Sequence, residues 1–73
     1  MNIDTIFKLH SHLTGDSYLY LKMEDTLEFV ITKKYELTSI DDDLVVTKPD
    51  GRCYVVDCRK ISVIFLRNRG GSL

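Results

Sequence analysis

The sequence predicts a mainly β domain opened by a single helix, and three observations carry that prediction. The 73-residue chain has no alanine, the best helix former, while Val, Ile, Thr, Tyr and Phe together supply 25 residues, a third of the total. Apolar residues recur at helical spacing only over residues 2–13. From Tyr18 onward the period is two.

In residues 2–13, Ile3, Ile6, Phe7, His10 and Leu13 form one apolar stripe. Asn2 suits the N-cap, Asp4 complements the positive end of the helix dipole, and Gly15 marks a stop, with Asp16 and Ser17 continuing the turn. A helix this short is marginal alone, so it must lie against a sheet. Leu19, Leu21 and Met23 then alternate with Tyr18, Tyr20 and Lys22, and Glu24-Asp25 reads as a turn. Leu27, Phe29, Ile31, Tyr35 and Leu37 share one parity, which predicts a long half-buried strand, bent or bulged near Lys33-Lys34, where Lys33 breaks the pattern. After the turn at Asp41-Asp42-Asp43, Lys48-Pro49-Asp50-Gly51 predicts a hairpin joining 44–48 to 52–57, with Pro49 second in a type I turn and Gly51 left-handed. A polar break at 57–60 precedes Ile61 to Leu66. Its run Val63-Ile64-Phe65-Leu66 does not alternate, which predicts cover on both faces. Residues 67–73 read as a frayed tail.

Length and composition narrow the function. A single domain of this size buries only about 60% of its unfolded surface. That excludes a large enzyme with a deep pocket. The chain is 44% hydrophobic and 29% charged, an ordinary globular balance. Its net charge is −1, so a nucleic-acid binder would need its basic residues gathered on one face. No apolar run approaches the roughly 20 residues of a membrane span. Met1-Asn2-Ile3-Asp4 lacks the positive flank of a signal peptide, so a cytoplasmic protein is expected. Cys53 and Cys58 are five apart, on opposite faces if one strand holds both, so they are expected to remain reduced packing residues.

Chemistry-bearing residues are few. Asp41-Asp42-Asp43 lacks the alternating ligands of a calcium loop and reads as a solvated turn. His10 and His12, two apart on a helix, do not share a face, and further metal ligands are not apparent. Cys58 stands beside Arg59 and Lys60, which would favour a thiolate, but no base accompanies it. No nucleophile-base arrangement or glycine-rich phosphate loop can be assigned, so the chain reads as non-enzymatic, with no cofactor or metal. Lys33, Lys34, Arg59, Lys60, Arg67 and Arg69 are candidates for a basic patch, and Tyr18, Tyr20 and Tyr54 for stacking surfaces; a solvated surface and packed tyrosines are the plainer readings.

The stretch Ile40-Asp41-Asp42-Asp43-Leu44-Val45-Val46 resembles the end of the first Sm motif. Asp41 and the apolar Leu44 match, while Val45 stands where the family has Asn. Tyr54 to Ile64 resembles the second motif and the last strand, with Asp57-Cys58 in place of Arg-Gly; Arg59 and Lys60 are loosely similar to the Lys-His of Hfq. A helix followed by about five short strands is the layout of this Sm-like family. The resemblance implies a small, strongly bent, five-stranded antiparallel SH3-type barrel over 17–66, with the helix over 2–13 and the tail over 67–73. It further implies a cyclic homo-oligomer closed by pairing the fourth strand of one copy with the fifth of the next. Tyr54, Val55, Val56, Val63, Ile64 and Phe65 are then the expected interface residues, unless the N-terminal helix covers the last strand. It implies single-stranded RNA as a partner, with Leu44 as an apolar contact and Arg59 and Lys60 supplying charge. The short, divergent chain is also similar to Sm-like proteins of marine phages or environmental bacteria, which implies the cytoplasm of a bacterium or an infected cell. The competing expectation is a structural or protein-interaction module with the same barrel and no nucleic-acid binding.

Overall fold

The computed structural model describes residues 2–68. One helix, α1 (Ile3–Ser11), precedes six strands: β1 (Ser17–Met23), β2 (Glu28–Thr32), β3 (Glu36–Ile40), β4 (Asp43–Thr47), β5 (Cys53–Asp57) and β6 (Ile61–Asn68). A single 3-10 turn, Cys58–Lys60, joins β5 to β6. The mainly β architecture with one N-terminal helix is the one expected. Among the described residues the strands form two three-stranded antiparallel sheets, ordered β2-β1-β6 and β3-β4-β5, where the Sm-like resemblance implied five strands in one barrel.

The difference arises at Lys33-Lys34. The predicted long strand breaks there into a turn closed by the Tyr35 N–H on the Thr32 carbonyl (3.1 Å). The turn passes the chain from one sheet to the other. The apolar parity survives it: Ile31 is buried and Phe29, Tyr35 and Leu37 are half-buried against one core. Leu27, assigned the same parity, lies in the preceding turn and is exposed.

α1 starts as expected, with the Asn2 side chain accepting from the Asp4 N–H at 2.8 Å. It ends at Ser11, short of the predicted 13. The Ser11 hydroxyl donates to the Lys8 carbonyl (2.6 Å), and the His12 and Leu13 amides close tighter turns on the Leu9 and His10 carbonyls. Such bonds compete with helix continuation. Leu13 is still carried into the core, beside Ile6.

The inner faces of both sheets share that core. Leu19, Leu21, Ile31 and Ile61 come from one sheet, Leu44, Val46 and Val56 from the other, and Cys58 joins them from the 3-10 turn. Stacked rings of Phe29 and Tyr54, 5.3 Å apart, bridge the sheets at their margin. The register of β6 against β1 slips between Lys22 and Met23, which leaves Ser62 as an extra, bulged residue. The cover predicted for both faces of β6 is absent in the single chain. Ile61 is buried and Ile64 half-buried, but Val63, Phe65 and Leu66 are exposed. Residues 69–73, most of the predicted tail, lie outside the described residues.

Candidate functional site

The turn after β5 is built by one aspartate. Asp57 caps the 3-10 turn, its Oδ1 accepting from the Arg59 backbone N–H (3.0 Å) and Nε (3.1 Å) and its Oδ2 from Nη2 (3.1 Å). The Arg59 guanidinium, through these hydrogen bonds, holds the Asp57 carboxyl below the usual carboxylate range. Asp43 and Asp42 add further negative field around Arg59. Lys60 is exposed in the same turn, and its carbonyl accepts from the Glu24 N–H at 2.8 Å.

The expected RNA contacts are therefore only partly brought together. Arg59 and Lys60 are neighbours at the surface. Leu44 is 0% exposed and packs the core, so it presents no surface to a base. The position alternates with Val45 along β4, and the inner parity takes Leu44 inward. Arg59 lines a small groove with Asn2, Ile3, Asp42 and Cys58. Cys58 is buried, and burial pushes its thiol pKa up, so proximity to Arg59 does not make it a thiolate. Cys53 is exposed, and both cysteines are free.

The expected interface residues divide by parity. Val56 is in the core, and Tyr54 and Ile64 are half-buried against it. Val55 (58% exposed), Val63 and Phe65 (42%) face outward. Leu66, at 52%, extends this surface beyond the residues the sequence singled out. Among the described residues β5 pairs only with β4 and β6 only with β1, so each leaves one strand edge open. The exposed β6 side chains show that α1 does not cover that strand.

On the outer face of the first sheet, the register sets Val30, Tyr20 and Phe65 side by side. The Tyr20 and Phe65 rings are 6.0 Å apart, and the Arg67 guanidinium lies over both, at 4.8 and 4.9 Å. The nearby Glu28 carboxylate raises the Tyr20 pKa. Tyr18 and Tyr20 thus present rings outward, while Tyr54 is held by Phe29.

The cations proposed as one patch are dispersed. Lys33 and Lys34 line a second, larger groove with Lys48 and Arg52, Arg59 lines the smaller one, and Arg67 sits on the outer sheet face. Arg69 lies outside the described residues. Sequence reasoning did not pair Lys33-Lys34 with Lys48 and Arg52. A signal was available in the two turns that carry them, but nothing in the linear order brings those turns together. No protein-family model, curated protein or solved structure matches the chain. The chemistry of these surfaces therefore carries the functional assignment.

Proposed function

We propose that this protein is a non-enzymatic, Sm-like module that assembles into a cyclic homo-oligomer and binds single-stranded RNA. The supporting observation is that β5 and β6, which like β2 and β3 each end a sheet, carry open edges flanked by the exposed apolar side chains Val55, Val63, Phe65 and Leu66. Open apolar edges template pairing with another chain unless something blunts them. If β2 and β3 are counted as one bent strand, the chain has a helix and five strands, the layout of the Sm-like fold. The open edges are then the fourth and fifth, the two that would join neighbouring copies. Among the described residues no helix is long and apolar enough to cross a membrane.

The decisive experiment is absolute mass by light scattering and native mass spectrometry. The expected result is a closed assembly of several 8.4 kDa subunits. A monomer at all concentrations refutes the ring. RNA binding is checked by titration against salt, since phosphate contact must weaken as salt rises. A second reading, a protein-interaction module without nucleic acid, is favoured by one observation: Asp57 already neutralises Arg59, with Asp42 and Asp43 nearby.

A further inference from the structure

Two turns distant in sequence converge on a groove of about 500 Å³, within the usual range for small-ligand sites. Lys33, Lys34, Lys48 and Arg52 line it with a single carboxylate, Asp50. The whole chain carries −1, so this concentration of four of its ten cations is a product of the fold.

Asp50 makes its hydrogen bonds to Arg52, with Lys48 a weaker electrostatic neighbour. Its Oδ2 accepts from Arg52 Nε (2.8 Å) and lies 2.7 Å from Nη2, while its Oδ1 accepts from the Arg52 backbone N–H (3.0 Å). Among the described residues, Lys33, Lys34 and Lys48 have no carboxylate within ion-pair distance. Three such ammonium groups lining one groove give it a positive field that favours an anion.

The groove is also preorganised. Lys33 and Lys34 occupy the corners of the Thr32–Tyr35 turn, in which the Lys34 N–H donates to Thr32 Oγ1 (3.3 Å). The Thr32 carbonyl also accepts from His10 Nε2 (3.1 Å), which ties the turn to α1. Lys48 is held in the Pro49-Asp50-Gly51 turn by the Gly51 N–H on its carbonyl (2.9 Å), and its Nζ lies 5.8 Å from the centre of the Tyr54 ring. Half-buried Tyr35 adds an aromatic wall. Cations carried on backbone-fixed turns beside an aromatic ring suit a phosphate attached to a base and sugar.

We propose that this groove binds the phosphate group of a nucleotide, with Lys33, Lys34 and Lys48 as its cationic contacts and Tyr35 packing against the base or sugar. The phosphate belongs either to a free mononucleotide or to single-stranded RNA. In the RNA case the inference rests on the reading above and moves the contact from the Arg59–Lys60 turn to this groove.

The test is amide NMR titration of the full chain at low salt with two probes, uridine 5′-monophosphate and a 12-nucleotide oligouridylate. It is run on the wild type, on the triple variant Lys33→Ala, Lys34→Ala, Lys48→Ala, and on the pair Arg59→Ala, Lys60→Ala. All five positions are at least partly exposed, and retained amide dispersion verifies folding. The expected shifts centre on residues 32–35 and 48–52. The triple variant should weaken binding at least about tenfold and lower the salt slope for RNA by about 2, while the Arg59–Lys60 pair changes little. Mononucleotide binding in the groove without RNA binding supports the inference and refutes the RNA reading. RNA binding that survives the triple variant, or is lost with the Arg59–Lys60 pair, overturns the inference and leaves the RNA reading standing. Failure of both probes to bind overturns both.

Discussion

Leu44 and Arg59 show how a side chain's neighbours govern what it can offer. Both were candidates for one RNA contact, yet one is sealed in the core and the other is clasped by Asp57. The Asp57 carboxyl is depressed by Arg59 in the folded chain, so its contribution to stability is present above the ordinary Asp value near pH 4 and is lost as pH falls through the lower folded value. Replacing Arg59 with Ala should return the Asp57 carboxyl toward the ordinary range, read by NMR titration of its side-chain carbon. The two cysteines make a second contrast. Cys53 is exposed and Cys58 buried with a raised thiol pKa. Iodoacetamide should modify one thiol per native chain rapidly, and peptide mapping should place it at Cys53. Equal labelling of both without denaturant would contradict the burial of Cys58.

At the scale of the element, the hairpin turn and the loop after α1 set opposite demands on glycine. Gly51 has φ +90°, closing the turn that Pro49 opens, whereas Gly15 has no positive φ, and an added Cβ meets nothing within 4 Å at either position. Gly51→Ala should therefore destabilise by about 1–2 kcal/mol through backbone strain alone. Gly15→Ala should be neutral or stabilise by up to about 1 kcal/mol, by restricting the unfolded chain. Chemical denaturation of the two variants checks both signs. The Pro49-Gly51 turn was readable because its chemistry is local. The end of α1 was not, because Gly15 is an acceptable stop and the bonds from Ser11, His12 and Leu13 that end the helix earlier carry no strong sequence signal.

At the scale of the whole molecule, the open β5 and β6 edges are the feature most in need of a partner. Val55 faces solvent in the single chain, so Val55→Lys should leave its folding intact and oppose edge pairing. Light scattering should then report a smaller mass than wild type, with unchanged circular dichroism. An unchanged assembly would place the contact elsewhere. The Tyr20–Phe65–Arg67 face is the other large exposed feature, and its register across β1 and β6 joins residues more than forty positions apart.

The sequence by itself determined the start of the helix, the strand periodicities, most of the turns and most of the core parity. Ile6, Leu19, Leu21 and Ile31 are buried where their spacing placed them. These features follow from interactions among residues close in the chain, so a linear pattern is enough to specify them. Only the tertiary structure decided that Lys33-Lys34 divides one long strand between two sheets, that Leu44 is lost to the core, and that four cations from two turns face one groove. Each of these depends on which strands pair and which turns meet across the molecule, and long-range pairing leaves no mark in the local spacing of residues.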